Sequence, residues 1–321
     1  MDQPHDDSTA NPTVSASPVP ESQPTSNGEP ESNSTVAPPA VAIRGQRSPA
    51  VERNTEPKRF RPSKIFVVLP AYNEEEALPE LLERIGEAFA NSTRPYEVIV
   101  VDDGSDDATA QVVAQMSFQM PLHLVVHEQN RGLGETFRDG LREAVDRAGE
   151  RDIIVVMDAD NTHPPGLIDR MVSLISEGCD VVIASRFQSG SRVIGVPLNR
   201  HVLSVGARAL FTTMYPTRGV RDYTSGYRAY KAGVVRRGFA EHGDNFVGEK
   251  GFSCMADVLL KLRRQGAVFG EAPLRLRYDQ KAGLSKMKVL GTIWLTLKLL
   301  GRHRVKGVAP VAATPVTANN E

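Results

Sequence analysis

From residue 64 onward, short runs of β-branched and aliphatic residues alternate with longer stretches whose apolar positions recur every three or four residues. The runs at 65–69, 98–101, 122–126, 153–157 and 180–184 are nearly free of polar residues, the pattern of strands buried on both faces of a parallel sheet. The stretches at 74–89, 106–116, 134–148 and 166–176 carry the helical period. Repeated strand–helix units of this kind predict an α/β fold built on a doubly wound, mostly parallel sheet flanked by helices. Beyond residue 185 the pattern loosens. It predicts an amphipathic helix over 197–214, a polar, aromatic loop over 221–230, a helix over 251–264 and a strand-like segment over 267–278.

The residues at the strand ends point to chemistry. Pro70, Ala71, Tyr72, Asn73, Glu74 and Glu75 come after the first strand, Asp102, Asp103, Gly104, Ser105, Asp106 and Asp107 end the second, and Asp158 and Asp160 end the fourth. Ligands of open α/β sheets bind outside the carboxyl ends of the strands, and here those ends are loaded with acids that need a compensating cation. With the backbone extended through Ala159, Asp158 and Asp160 would face one place, as residues two apart on a strand do. Two hard oxygen donors there suit Mg²⁺ or Mn²⁺ holding a phosphate. The same pair can also be read as capping the helix that comes after His163-Pro164-Pro165.

Composition trims the domain. Residues 1–62 are dominated by Pro, Ser, Thr, Asn, Glu and Gln without a hydrophobic period, which predicts a disordered tail. That start has neither the basic opening nor the apolar core of a signal peptide. The 321 residues carry a formal net charge of -1 with 24% charged residues, so nothing in the balance favours nucleic acid. Two cysteines, Cys179 and Cys254, lack metal spacing and fit a reducing, cytoplasmic setting. No apolar run reaches the roughly 18–20 residues that span a bilayer.

Near the C-terminus the basic segment 283–286 reads as a loop able to close over a ligand. After it, Leu290, Ile293, Trp294, Leu297 and Leu300 line one face of a helix over 287–303 that is ringed by lysines and arginines. That pattern predicts a helix lying in a membrane interface, or one docked on protein. The divisions are a tail over 1–62, a catalytic domain over 63–278, a basic loop and interfacial helix over 279–306, and a second tail over 307–321.

Taken together, Pro70-Ala71-Tyr72-Asn73-Glu74-Glu75, Asp102-Asp103-Gly104-Ser105, Asp158-Ala159-Asp160 and His163-Pro164-Pro165 resemble the motifs of family 2 glycosyltransferases of the GT-A fold. Asn130-x-Gly132-x-Gly134, Ala184-Ser185-Arg186-Phe187, Asp222-x-Thr224-Ser225-Gly226-Tyr227-Arg228 and Gly283-x-Ser285-Lys286 narrow the likeness to the dolichol-phosphate mannose synthase and polyprenyl-phosphate glycosyltransferase group. The resemblance implies that Pro70, Ala71, Tyr72, Glu74 and Asp103 cradle the nucleotide of a sugar donor, with Asp102 supporting that loop. It implies that Asp158 and Asp160 bind Mg²⁺ or Mn²⁺ through the donor diphosphate. Many relatives carry Gln as a further ligand before the His-Pro-Pro; here Thr162, preceded by Asn161, stands in that place as the third candidate. Arg186, Arg200 and Ser204 fall where the group grips its acceptor's phosphate, and Lys286, helped by Arg277 or Lys281, would lie over the diphosphate.

The expected activity is an inverting, metal-dependent transfer of a hexose, foremost mannose from GDP-mannose, to polyprenyl or dolichyl phosphate at the cytoplasmic membrane face. A phosphate acceptor is already anionic, with a second pKa of about 6, and needs orientation more than a base. A sugar-hydroxyl acceptor would need a carboxylate base, for which Asp222 is the candidate. UDP-glucose or UDP-N-acetylhexosamine donors, or a non-catalytic nucleotide-sugar-binding scaffold, are the competing readings. A dehydrogenase is disfavoured because no Gly-x-Gly-x-x-Gly comes after the first strand.

Overall fold

The computed structural model describes residues 62–195, 198–249, 251 and 253–277. Strand β1 (Ile65–Ala71) lies between β2 (Tyr96–Asp102) and β4 (Ile153–Val156), parallel to both. β3 (Leu122–Val126) extends the sheet beyond β2. On the other side come β7 (Arg228–Lys231), β5 (Val181–Ser185) and β8 (Phe269–Pro273), giving the order β3-β2-β1-β4-β7-β5-β8. A two-stranded ribbon of β6 (Arg192–Ile194) and β9 (Arg275–Arg277) accompanies it.

The apolar runs become strands because both of their faces are covered. Ile65, Val67 and Leu69 pack with Leu78, Leu81, Leu82 and Ile85 of α1 (Leu78–Phe89), Val113 of α2 (Thr109–Met116) and Met171 of α4 (Leu167–Ser176). Phe66 and Val68 pack on the opposite face with Phe137 and Leu141 of α3 (Leu133–Arg147). Val234 and Val235 of α6 (Ala232–His242), Phe211 of α5 (Leu198–Met214) and Leu259 of α7 (Ser253–Arg264) belong to that same cluster. Each such side chain contributes about 1.5–3 kcal/mol on full burial, well above an exposed ion pair. The result is the mostly parallel, helix-flanked sheet expected of the GT-A fold.

Two segments differ from the sequence reading. Residues 221–230 are not loop throughout: Arg228–Lys231 form β7, which runs antiparallel to both β4 and β5. The strand opens on an arginine, which masks its signal. Arg228 is fully buried there, its Nη1 and Nη2 donating to the Met255 and Tyr223 carbonyls at 2.6 and 2.7 Å. The strand-like stretch 267–278 is two strands in two sheets, β8 and β9, separated at Leu274. The inverted direction of β7 has a consequence for the site. Its amino end lies at the carboxyl ends of β4 and β5, Val156 and Ile183 both being in register with Arg228, so the 221–227 loop reaches the acid-bearing edge.

Candidate active site

The loops after β1 and β2 are stitched together. Asn73 N and Glu74 N donate to Ser105 Oγ and Thr109 Oγ1 at 2.9 Å each, and Asp106 N returns a bond to Asn73 Oδ1 at 2.9 Å. Glu75 N donates to Asp107 Oδ2 and Ala108 N to Glu75 Oε2, while Tyr72 Oη lies 3.4 Å from Asp106 Oδ2. Burial would raise the Asp107 carboxyl, but its hydrogen bonds with Thr109 and with the Glu75 N–H outweigh that and hold it below the usual range. Pro70, Ala71, Tyr72 and Glu74 therefore sit on a braced edge.

The two aspartates that end β2 face their own loops. Asp102 Oδ1 accepts from Ser105 N and Oγ at 3.1 and 2.5 Å. Asp103 is buried, and its carboxylate accepts from His127 Nδ1 (2.7 Å), Arg131 N (2.9 Å) and Gly132 N (2.8 Å). Asp103 thus holds the 127–132 loop at the start of α3. The sequence does not single out His127, because a lone histidine in a strand-to-helix turn carries no spacing signal.

The acid pair does not ride on an extended strand. β4 ends at Val156, and Asn161 takes a left-handed φ of 58°, so the chain turns sharply after Ala159. Asp158 keeps 37% side-chain exposure, whereas Asp160 is buried at 9%. The turn is internally bonded. Thr162 N and Oγ1 donate to Asp160 Oδ1 at 3.2 and 2.6 Å, and Asp158 N donates to His163 Nδ1 at 3.1 Å. That bond leaves the ring proton of His163 on Nε2, 3.8 Å from Asp158 Oδ2. His163 stacks on Tyr227, ring centroids 5.0 Å apart, and Tyr227 Oη donates to the Pro164 carbonyl. Gly226 completes the wall, since a Cβ there would come within 3.3 Å of Asp158 Oδ1. The helix-capping alternative fails for α4, which has no side-chain cap.

Behind the pair, Arg186 and Asp222 form a buried ion pair. Arg186 Nε and Nη2 reach Asp222 Oδ2 and Oδ1, and the N–H groups of Arg186, Thr224 and Ser225 also donate to that carboxylate. Burial pushes the Asp222 carboxyl up, but the Arg186 charge and these bonds outweigh it and hold it below the usual range. Asp222, the candidate base for a sugar-hydroxyl acceptor, is thus fully buried and accepts six hydrogen bonds, the sixth from Thr224 Oγ1 at 3.5 Å. Glu271 carries no motif in the sequence, yet it accepts the Arg221 and Asp222 N–H groups and so fixes this loop.

Arg186 still faces the edge through Nη1, 3.4 Å from Ser204 Oγ on α5, and it feels the charge of Asp158. The structure thus brings Arg186 and Ser204 together, with Arg200 one turn earlier on α5. Arg277 ends β9. Lys281, Lys286 and the interfacial helix lie outside the described residues.

Among the described residues no three His, Cys, Asp or Glu converge as a protein-only metal cage. Two carboxylates, one half-buried and one buried and braced by Thr162, fit instead a divalent ion that draws its other ligands from phosphate and water.

Residues 66–241 match Glycosyl transferase family 2. The dolichol-phosphate mannosyltransferase of Pyrococcus furiosus is 35% identical over 173 residues, 54% of this chain; the chain spans about half, 47%, of that protein's length. The polyprenol monophosphomannose synthase of Mycolicibacterium smegmatis is 30% identical over 235 residues, 72% of this chain and 84% of that protein. Among solved structures, glucosyl-3-phosphoglycerate synthase from Mycobacterium tuberculosis superposes with a TM-score of 0.54 at 22% identity, covering 74% of this chain and 80% of that one.

Proposed function

The chain belongs to glycosyl transferase family 2 and is a glycosyltransferase, and from that premise we propose that it moves a hexose from a sugar nucleotide to a polyprenyl phosphate. The proposed donor is GDP-mannose, and the transfer is metal-dependent and inverts the anomeric carbon. The relatives in Pyrococcus and Mycolicibacterium, whose names specify mannose and a polyprenol, support the choice of sugar and acceptor.

The observation that carries the reading is the fate of Asp222. A hydroxyl acceptor needs a base, and the candidate carboxylate is spent on Arg186. A phosphate acceptor brings its own anionic nucleophile and asks only to be held. Arg186 Nη1 and Ser204 Oγ, with Arg200 a turn away, offer a cation and a hydroxyl beside Asp158 for that purpose. Attack from that side on the anomeric carbon displaces the nucleoside diphosphate directly.

Asp158 and Asp160, with Thr162 bracing Asp160, would hold Mg²⁺ or Mn²⁺. The bound ion would offset the charge that develops on the leaving diphosphate. The edge formed by residues 70–74 would seat the nucleotide, Lys286 with Arg277 or Lys281 would cover the diphosphate, and the amphipathic pattern over 287–303 suits contact with the membrane surface. No helix among the described residues is long and apolar enough to cross a membrane.

The test is a panel of radiolabelled sugar nucleotides offered with a short polyprenyl phosphate, scoring lipid-soluble product. GDP-mannose should label the lipid in a divalent-ion-dependent way. Label reaching lipid only from UDP-sugars would overturn the donor, and label reaching only a glycan would overturn the acceptor.

A further inference from the structure

We infer that Arg84, on α1, is a positioning residue that sets the affinity of the Asp158–Asp160 turn for its divalent ion. The inference deepens the metal reading proposed above and rests on it.

The turn between the two carboxylates and Thr162 is held in an unfavourable conformation. Asn161 has a φ of 58°, a region that side-chain-bearing residues seldom enter and that asparagine tolerates best after glycine. It is also 3% exposed, so its amide must be satisfied from within the protein. Arg84 satisfies the amide oxygen, Nη1 donating to Asn161 Oδ1 at 2.5 Å and lying 3.4 Å from the Asn161 carbonyl oxygen. Glu80 and Glu87 stand four residues before and three after Arg84 on the same helix, where a helical arginine ordinarily finds a carboxylate. The guanidinium instead crosses to a residue seventy-seven positions on.

The consequence reaches Asp160 through one peptide. Thr162 follows Asn161 directly, and both its N–H and its hydroxyl hold Asp160 Oδ1. If Asn161 relaxes toward an ordinary φ, Thr162 swings and Asp160 loses two donors that orient it. Arg84 thus pins the middle of the turn, Thr162 transmits the constraint, and Asp160 presents a fixed oxygen. Losing a partner that orients a ligand in this way typically costs about 10–100-fold in metal affinity or activity.

The experiment is a Mn²⁺ titration by electron paramagnetic resonance on the full chain with GDP present, run beside steady-state transfer and thermal unfolding. Arg84→Met should loosen Mn²⁺ about tenfold, with kcat falling and the KM for polyprenyl phosphate unchanged. Arg84→Lys, which keeps the charge but loses the planar fork, should recover part of the affinity. Asn161→Gly should be milder than Asn161→Ala, because glycine enters the left-handed turn without an anchor. Arg84→Met should also cost less in the Asn161→Gly background than in the wild type. Wild-type Mn²⁺ affinity and kcat in Arg84→Met would overturn the inference. Should Arg84→Met fail to fold, equal Mn²⁺ affinities for Asn161→Ala, Asn161→Gly and the wild type would overturn it. Absence of Mn²⁺ uptake by the wild type would overturn the metal reading itself, and this inference with it.

Discussion

Arg186 and Asp222, thirty-six residues apart, meet fork to carboxylate, with Nε–Oδ2 at 2.8 Å and Nη2–Oδ1 at 2.7 Å. Asp222 is fully buried while Arg186 retains 21% side-chain exposure. Such a bidentate pair fixes direction as well as distance. It ties the end of β5 to the loop ahead of β7 and leaves Arg186 Nη1 aimed at Ser204.

Asp222→Asn should therefore cost about 3 kcal/mol at pH 7, toward the lower end for breaking a buried pair because Arg186 keeps some water. The folded carboxyl is acid-shifted, so its contribution is fully present above the unfolded value of about 3.9 and is lost as pH falls through the lower folded value. The gap in urea-unfolding free energy between wild type and variant should be constant from neutrality down to about pH 5 and shrink only below about pH 4. A gap that closes between pH 6 and 7 would mean another group governs it.

Asp158→Ala and Asp160→Ala each remove one of the two hard oxygen donors proposed for the divalent ion. Transfer should fall at least about a hundredfold in either, roughly 3 kcal/mol of barrier, with the thermal midpoint little changed. Turnover equal to wild type with Mg²⁺ or Mn²⁺ would sink the metal-site reading.

Thr162→Val keeps the shape of the side chain and removes the hydroxyl that donates to Asp160 at 2.6 Å. Mn²⁺ affinity should drop by about tenfold, and Thr162→Ser should restore it. If Thr162→Ser is no better than Thr162→Val, the methyl group and not the hydroxyl matters there.

Arg200→Ala should raise the KM for polyprenyl phosphate by about tenfold or more, the weight of a hydrogen bond to a charged group. Affinity for the sugar nucleotide should not move. A loss confined to the donor would reverse the assignment of α5 to the acceptor.

Gly104→Ala tests the bracing of the nucleotide edge. Gly104 has a φ of 67°, and a Cβ there would meet the Gln129 backbone at 2.5 Å. The substitution should destabilise the fold by about 1–3 kcal/mol and loosen donor binding, read by urea unfolding and nucleotide titration. A stability equal to wild type would show that the 127–132 loop yields freely.

Most of the fold is written in local spacing. The runs at 65–69, 98–101 and 153–157 become β1, β2 and β4 because they are short, β-branched and apolar on both faces, and α1, α3 and α4 arise from their helical period. Clusters such as Asp102-Asp103-Gly104-Ser105 can be placed at strand ends for the same reason. What spacing cannot encode is a partner in another segment. Arg228 reads as a loop residue until the Met255 and Tyr223 carbonyls accept its N–H groups at the start of β7. Asp222 reads as the candidate base for a hydroxyl acceptor, and only β7, running against its neighbours, carries its loop to Arg186. Asn161 carries no signal beyond preceding Thr162, and only the fold brings Arg84 across to it from α1. Hydrophobic period is a property of neighbours in the chain, whereas the state of a buried polar group depends on which donors the strand order brings within about 3 Å.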